Sequence, residues 1–301
     1  MKKRKINVRL IHNPGAGTDE KYKKENLIEI IEAYNYHCEY TSSKSQALKD
    51  ISAATDFIAI AGGDGTVRKT IMDLLEQKLK SKRPIAILPL GTANNIATSL
   101  GLSADIKKNI GHWSDYKLKK FDVGQVTGFN NDAYFIESFG FGLFPKLMQE
   151  LESKNTEKAD SPNDEFKNAL KTLLSITEDY KPVKLYVQTN DKVIEKQCLL
   201  FEVMNISSLG PKLTLSKDAD PGDGYFDMVI VEADQKELLQ KYLIQYLNSE
   251  EPEFPIKPVK VKSLQIQWDG SDVHADDEIV KGYKGEELHI SLLNSLIEIV
   301  I

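Results

Sequence analysis

Three short apolar strands, each followed by a glycine-rich turn, constrain the fold of this chain more than any other feature. The apolar runs cover residues 6–11, 56–61 and 84–88. Between them, apolar residues recur at helical spacing within residues 26–34 and 67–75. Uniformly apolar strands that alternate with helices are typical of a parallel sheet covered on both faces. The first third of the chain is therefore predicted to be an α/β domain.

The pattern changes after about residue 120, where strands with alternating apolar and polar residues indicate an antiparallel sheet. Two helices are predicted to interrupt these strands. One begins at Ser161-Pro162, and the other begins at Asp234, with Glu237 completing a capping box. The strands are predicted within residues 183–187, 198–204, 226–231, 259–268, 288–293 and 296–301.

Two domains follow from this change of pattern. An α/β domain is predicted over residues 1–120, and the C-terminal strand of about residues 294–301 is a candidate to return to it. A β-rich, mainly antiparallel domain is predicted over residues 121–293. Residues 152–165 are rich in charge and are predicted to form a mobile loop.

The composition of the 301 residues is that of a globular protein, with 41% hydrophobic residues and a net charge of −6. A nucleic-acid binder normally has a basic excess, so nucleic acid is not expected as a partner. Cys38 and Cys198 have no metal-type spacing and indicate a reducing compartment. No run approaches the ~20 apolar residues that span a bilayer. The composition therefore predicts a soluble, cytoplasmic protein.

The three turns share one design and read Asn13-Pro14-Gly15-Ala16-Gly17, Gly62-Gly63-Asp64-Gly65-Thr66 and Pro89-Leu90-Gly91-Thr92-Ala93-Asn94-Asn95. Turns at the carboxyl ends of parallel strands lie along one edge of the sheet, where ligands bind. Glycines let the backbone approach phosphate oxygens, and a helix N-terminus favours an anion. We therefore expect phosphates against residues 62–66 and the start of the helix after Ala93. For the first turn alone, a purely connecting role fits equally well.

Asp64 is flanked by glycines, and no packing role is expected for it. Its carboxylate is suited to orienting phosphates or to holding a metal-bound water. Neither a P-loop nor a G-x-G-x-x-G fingerprint occurs in the chain, which argues against those two modes of nucleotide binding.

These motifs resemble the diacylglycerol kinase catalytic family, which includes bacterial lipid kinases and the sphingosine kinases. The pair of GGDGT at 62–66 and PLGTANN at 89–95 is the most specific part of a resemblance that covers nearly the whole chain. The first domain of this family is similar to NAD kinases and phosphofructokinases, so the resemblance implies such a parallel sheet here. It also implies contacts with ATP, which by matching are Asn13, Pro14, Gly15, Ala16, Gly17, Thr41, Gly62, Gly63, Asp64, Gly65, Thr66 and Thr92. Thr41 is placed just after the second strand.

The resemblance implies that residues 1–120 form the nucleotide-binding domain and residues 121–293 the lipid-binding domain. Two further motifs of the family fall in this second domain. Gly140-Phe141-Gly142 resembles the segment that lines the lipid cleft in the family. Residues 218–227 resemble an element that binds a structural Mg²⁺ in bacterial members, and matching selects Asp220, Asp223 and the carbonyl of Tyr225 as metal ligands. Clustered oxygen ligands suit such a hard cation. A solvated acidic turn is the alternative interpretation.

The catalytic motif departs from the family pattern. Relatives carry Asp-Gly-Glu, whereas this chain has Asp276-Asp277-Glu278. The resemblance implies that Asp276 and Glu278 supply the general base and its partner carboxylate, with Asp64 as a third catalytic residue. If the replaced glycine needs a positive φ, aspartate is among the better substitutes at 277. His274 is expected to be an exposed residue at a strand end and not a catalytic one.

Two other positions differ from relatives. Asn95 stands where many relatives have Asp, close to the lipid hydroxyl, and it is the candidate for substrate binding. After GGDGT, relatives often continue with Leu-Asn-Glu, whereas this chain has Val67-Arg68-Lys69. Arg68 or Lys69 could instead reach a phosphate.

The resemblance implies a kinase that uses ATP and Mg²⁺ to phosphorylate a diacylglycerol-like or sphingoid membrane lipid. It implies a peripheral contact with the inner face of the membrane, and a homodimer is one option for its assembly. Two alternatives remain open. An NAD kinase-like enzyme would share GGDGT but not the late acidic triplet. A nucleotide-binding regulator without catalysis would explain the altered triplet and the Arg68-Lys69 pair.

Overall fold

A computed structural model describes residues 4–17, 22–45, 48, 51–80, 82–153, 161–210 and 212–301. The chain divides into two compact units. Unit 1 comprises Met1–Phe121 and Ser295–Ile301, and unit 2 comprises Asp122–Asn294. The divisions fall inside two strands, β5 (Leu118–Thr127) and β17 (Leu288–Val300), so unit 1 is completed by a segment distant in sequence, whereas unit 2 is continuous.

Unit 1 is built on a parallel sheet. The order is β2, β1, β3 and β4, and the end of β17 joins β4 in parallel through Ile299 and Ile85. The strands are β1 (Asn7–His12), β2 (His37–Ser42), β3 (Phe57–Gly62) and β4 (Ile85–Pro89). The helices are α1 (Lys24–Ala33), α2 (Asp64–Glu76), α3 (Asn95–Ser99) and α4 (Ile106–His112).

The hydrophobic core of unit 1 explains why these segments fold together. All six residues of β3 and all five of β4 are buried, as expected for strands covered on both faces. Leu27 and Ile31 of α1 pack into the same cluster as Phe57 and Trp113, whose ring centroids lie 5.0 Å apart. Burial of such side chains stabilises a fold by about 1.5–3 kcal/mol each.

Unit 2 is mainly antiparallel. Its strand order runs β16, β15, β7, β9, β8, β14 and β17, while β12 pairs with β9 and β13, and β6 pairs with β5. The prediction of parallel strands in the first part of the chain and mainly antiparallel strands in the second part is confirmed, and 15 of the strands form one mixed sheet. The strands are β6 (Ala133–Phe135), β7 (Ser138–Gly142), β8 (Val183–Gln188), β9 (Val193–Met204), β10 (Ser208–Leu209), β11 (Leu213–Thr214), β12 (Phe226–Glu232), β13 (Val259–Val261), β14 (Ser263–Trp268), β15 (Val273–Ala275) and β16 (Glu278–Ile279).

Three helices belong to unit 2: α5 (Leu143–Ser153), α6 (Pro162–Asp179) and α7 (Lys236–Leu247). The predicted cap of α6 is confirmed, because the Ser161 hydroxyl accepts from the Asp164 N–H. The predicted capping box at Asp234 is wrong. Glu232 and Gln235 form the box around a short 3-10 turn instead, and α7 begins after it.

The bounds of the mobile loop predicted over residues 152–165 are wrong at both ends, because α5 continues to Ser153 and α6 starts at Pro162. Residues 154–160 lie outside the described part of the chain. None of the helices in the described ranges combines the length and the apolar character needed to cross a membrane.

Candidate active site

The three glycine-rich turns of unit 1 meet at the carboxyl edge of its parallel sheet, because they follow the neighbouring strands β1, β3 and β4. Side chains join the first turn to the second, since the Asn13 amide donates to the Thr66 hydroxyl at 3.2 Å. Asn13 also closes its own turn by accepting from the Gly15 N–H at 3.0 Å. The first turn is therefore attached to the helix start that the second turn forms.

The second and third turns touch through their glycines. A methyl group on Gly91 would lie 2.5 Å from the Gly63 Cα, a distance that real Cβ atoms do not adopt. The third turn is closed by Asn94, which has a left-handed φ of 53° and exchanges hydrogen bonds with the Gly91 backbone. Neither Gly63 nor Gly91 has a positive φ. Glycine is required at both positions because the two turns approach each other too closely for a side chain.

Asp64 ties the second turn to the helix that follows the third. Its carboxylate accepts from the backbone N–H groups of Asn95 at 2.9 Å and Ile96 at 3.1 Å. It caps α3 from another turn, and the expectation that it has no packing role is wrong. The first amides of α3 thus already bind a carboxylate, and a phosphate there would face a like charge. Asp64 is also the first residue of α2, so its charge lies beside both of the predicted phosphate contacts.

The other residues predicted to contact nucleotide or substrate are spread around this edge. Thr41 lies inside β2 and not just after it, next to Tyr40, whose ring lies 4.6 Å from the Lys24 ammonium. Thr92 is exposed on the third turn, whereas Asn95 is only 4% exposed. Asn95 therefore offers a substrate little surface.

The Lys69 ammonium pairs with Asp73 at 2.7 Å along α2. This pairing competes with a contact between Lys69 and a phosphate at the turns. Such an exposed pair one helical turn apart is weak, about 0.3–0.5 kcal/mol. A contact between Lys69 and a phosphate stays a prediction.

In unit 2, the acidic triplet forms the tight hairpin between β15 and β16, where Ala275 pairs with Glu278. Asp276 is 5% exposed, and its carboxylate accepts from the backbone N–H groups of Ile136, Glu137 and Ser138 at 2.7–3.2 Å. Glu278 is exposed. The two carboxylates predicted to share catalysis therefore have different surroundings: one is bound by the backbone, and the other faces solvent.

The backbone of this hairpin corrects the expectation for the replaced glycine. The left-handed residue is Asp276, with φ 54°, and Asp277 does not have a positive φ. Aspartate at 277 is therefore not strained by its backbone, and the departure from the Asp-Gly-Glu pattern does not by itself distort the turn.

His274 is fully buried, so the expectation of an exposed histidine is wrong. Its Nδ1 lies 2.8 Å from the Asp276 carbonyl oxygen, and its Nε2 lies 3.0 Å from both carboxylate oxygens of Glu202. Burial raises the pKa of Glu202, while His274 acts against that shift. Burial lowers the pKa of His274, but the adjacent Glu202 outweighs this, so the net shift is upward. The pKa values of Glu202 and His274 are both raised, so the two side chains together retain a proton.

The acidic loop predicted to bind Mg²⁺ is occupied by contacts of its own. Asp220 accepts from the Gly222 N–H, and Asp223 accepts from the Tyr225 N–H. The Lys260 ammonium binds Asp223 at 2.8 Å and Asp227 at 3.1 Å. Burial lowers the pKa of Lys260, but its bonds to these carboxylates outweigh this and raise it, so the ammonium stays charged.

The fit of this loop to a divalent cation is therefore poor. In the part of the chain that the structure describes, no group of three or more histidine, cysteine or acidic side chains could hold a metal ion. The Lys260 charge already neutralises the carboxylate of Asp223.

Comparison with known proteins identifies the family that the motifs resemble. Residues 7–126 match the family model of the diacylglycerol kinase catalytic domain. The resemblance to the diacylglycerol kinase catalytic family is confirmed. A diacylglycerol kinase of Staphylococcus epidermidis is 26% identical over 74% of this chain and 70% of its own length. One of Bacillus subtilis is 27% identical over 74% of this chain and 73% of its own length.

The fold is shared with solved structures. A diacylglycerol kinase structure from Bacillus anthracis aligns with a TM-score of 0.69 at 19% identity, covering 97% of this chain and 96% of that one. A second structure from the same organism reaches a TM-score of 0.72 at 22% identity, covering 99% of this chain and 97% of that one. At these identities the likeness concerns the fold.

The family motif GFG has a structural use that the sequence did not predict. Phe141 is fully buried among Phe139, Phe201 and Trp268, so it belongs to the core of unit 2. A methyl group on Gly140 would lie 2.3 Å from the Glu202 carboxyl carbon. The glycine therefore gives Glu202 its space.

The sequence motifs do not indicate a role for Glu202 or for Lys260. A glutamate inside the apolar run of β9 was the available signal, because a buried acid needs a partner. No comparable signal marks Lys260, which lies on a short edge strand among other lysines.

Replacing Asp64 by alanine is expected to lower both stability and activity. Loss of a helix cap costs about 1 kcal/mol of unfolding free energy. The change also releases the third turn from the second. Asp105, which caps α4 by accepting from the Lys107 N–H, provides a matched control. We expect Asp64→Ala and Asp105→Ala to lose similar stability in denaturant titrations, with only Asp64→Ala losing kinase activity. Equal activity in the two variants would remove Asp64 from the site.

Proposed function

We propose that this protein is an ATP-dependent lipid kinase that transfers the γ-phosphate to the hydroxyl of a diacylglycerol-like or sphingoid lipid. The observation that carries the proposal is the mutual attachment of the three glycine-rich turns, within a segment that matches the diacylglycerol kinase catalytic domain. Unit 1 would bind the nucleotide, in a fold of the NAD kinase and phosphofructokinase kind. Unit 2 would bind the lipid.

The hydrogen bonds and the burial of the candidate residues support a different role for each of them. ATP would lie against residues 13–17 and 62–66, with its phosphates at the start of α2 and with Thr41 and Thr92 beside it. Phosphoryl transfer depends mainly on positioning and on charge stabilisation, with a carboxylate that takes the hydroxyl proton. Glu278, which is exposed, is the better proton acceptor. Asp276, which is buried and bound by three amides, would position the turn. Asp64 would position the third turn, and Asn95 would act near the lipid hydroxyl through small movements of that turn.

Mg²⁺ would enter with ATP, as in other phosphoryl transfers, and neutralise the charge on its phosphates. A second Mg²⁺ on Asp220, Asp223 and the Tyr225 carbonyl is the interpretation implied by the family. The contacts of Lys260 favour a loop that is neutralised without a metal.

Lys260→Met separates these two interpretations. In the wild-type protein, we expect the same melting temperature in Mg²⁺ and in EDTA. In Lys260→Met, Asp223 and Asp227 lose their partner, so stability should fall by roughly 1–3 kcal/mol in EDTA and recover in Mg²⁺. Lys217→Met is the control, because Lys217 pairs with Glu253 and both of these side chains are exposed. A wild-type melting temperature that rises with Mg²⁺ would contradict the metal-free interpretation.

The membrane contact follows from the substrate. We propose a cytoplasmic protein that binds the inner face of the membrane peripherally, as a monomer or as a homodimer, and does not bind nucleic acid. Lipid substrates of this kind remain in the bilayer, so the enzyme must approach its surface.

A transfer assay tests the proposed function. The purified chain is incubated with ATP labelled at the γ-phosphate and with micelles that contain diacylglycerol or sphingosine, and a parallel reaction contains NAD. Label in the lipid extract is the expected result. Label on NAD alone would establish an NAD kinase-like enzyme. Tight ATP binding without transfer to any acceptor would establish a nucleotide-binding regulator, which the altered triplet also permits.

A further inference from the structure

We propose that Glu202 and His274 are positioning residues that hold the acidic hairpin by sharing one buried proton. Their bonds fix the backbone of Asp276 and, through it, the direction of Glu278. The effect on catalysis rests on the proposed kinase function, whereas the position of the proton does not.

A row across three strands of unit 2 makes the pair possible. Glu202 on β9 lies opposite Gly140 on β7, and Gly140 lies opposite His274 on β15. Side chains on strands two apart start about 10 Å from each other, since neighbouring strands are about 4.8 Å apart. Gly140 has no side chain between them, so the Glu202 carboxylate can extend over it to the imidazole. Any larger residue at 140 would occupy that space.

The partners determine where the protons lie. A carbonyl oxygen only accepts, so His274 Nδ1 must carry the hydrogen that bonds to Asp276. His274 Nε2 faces the two carboxylate oxygens of Glu202, and this contact also needs one proton. Whether that proton is on nitrogen or on oxygen, the pair has no net charge. A neutral, bonded pair is the form that complete burial tolerates.

The pair completes the fixation of Asp276. All three polar groups of this residue are bound: the N–H donates to the Ser138 carbonyl, the carbonyl accepts from His274, and the carboxylate binds the amides of residues 136–138. A left-handed φ is unfavourable for aspartate and persists because the surroundings impose it. Without the bond from His274, the carbonyl would be buried without a donor and the peptide could rotate. Glu278, two residues later, would then change direction.

The position of the proton is measured by nitrogen NMR on the wild-type protein labelled at histidine. The His274 signals are assigned by their absence in His274→Gln. We expect the Nδ1 of His274 to stay protonated from pH 6 to pH 9. An ordinary histidine loses its charge over this range. A bare Nδ1 with hydrogen on Nε2 would overturn the proposal, whatever the protein phosphorylates.

Two substitutions at Glu202 then test the positioning role. Glu202→Gln keeps the shape and can still bond Nε2, so it should keep the Nδ1 hydrogen and most of the activity. Glu202→Leu removes the partner, and we expect kcat to fall by about 10–100-fold, the usual effect of losing such an orienting group, with KM for ATP unchanged.

Phe144→Leu controls for packing. The Phe144 ring meets the His274 ring edge-on, with centroids 4.9 Å apart, but makes no hydrogen bond to it. This variant should lose stability without losing kcat. If Glu202→Gln and Glu202→Leu lose kcat equally, or if Phe144→Leu loses as much, the pair acts only through packing. If Glu202→Leu does not fold, the glutamine variant and the NMR measurement still decide.

Discussion

Gly91→Ala is expected to lower kinase activity by about 100-fold, because a misplacement of about 1 Å at a catalytic site can have an effect of this size. The added methyl group would lie 2.5 Å from the Gly63 Cα and 2.9 Å from the Asn94 side-chain oxygen. The second and third turns must therefore separate. Overpacking of this kind also costs about 1–3 kcal/mol of stability.

Gly111→Ala is the matched control for this change. Gly111 lies in α4 of the same unit, and a methyl group there would make an ordinary contact at 3.5 Å with Tyr34. Alanine in a helix is favoured over glycine by roughly 0.5–1 kcal/mol, so Gly111→Ala should be slightly more stable than wild type and fully active. Activity is measured by transfer of labelled phosphate to lipid, and ATP affinity by calorimetry. An active Gly91→Ala with unchanged ATP affinity would show that the contact between the turns is not needed.

Glu278→Gln and Asp276→Asn are expected to separate catalysis from structure. Loss of a general base lowers a rate by about 10²–10⁴-fold. Glu278 is exposed, so Glu278→Gln should lose activity to this extent with a smaller loss of stability than Asp276→Asn. Asp276→Asn should lose stability by about 2 kcal/mol or more, since an amide replaces a carboxylate that accepts from three backbone donors.

Asparagine is the informative substitute at 276 because it tolerates a left-handed φ, so the backbone is not tested at the same time. Both variants are assayed for phosphate transfer and unfolded in denaturant. Full activity of Glu278→Gln would exclude Glu278 as the proton acceptor. An unchanged stability of Asp276→Asn, together with a large loss of rate, would transfer that role to Asp276.

The sequence was sufficient for the main architecture because its patterns are local. Apolar runs that alternate with helices predict parallel strands, and turns that follow such strands must lie along one edge. Residues 13–17, 62–66 and 89–95 are close together for this reason. The order of the strands in unit 2 did not follow from the sequence, since antiparallel strands of similar pattern can pair in many ways.

The contacts that the sequence could not predict join residues far apart in the chain. The carboxylate of Asp276 binds amides about 140 positions earlier, and His274 meets Glu202 across 72 positions. The position of His274 at a strand end, just before the acidic triplet, predicts exposure, and the family motif predicts a role for Asp276 but not its buried partners. Asp64 was judged by its flanking glycines, although its partners are the amides at the start of α3. In each case the partner is a backbone group or a buried acid that leaves no periodic signal.

The backbone of the acidic hairpin also makes position 277 useful as an attachment point for a spectroscopic reporter. Because the left-handed residue is Asp276, a cysteine at 277 would not have to adopt a left-handed φ. The two native thiols would compete poorly for a labelling reagent, since burial raises the pKa of both Cys38 and Cys198 to about 12. A fluorophore attached to Asp277→Cys would then sit beside Glu278 and report changes around the acidic hairpin in real time.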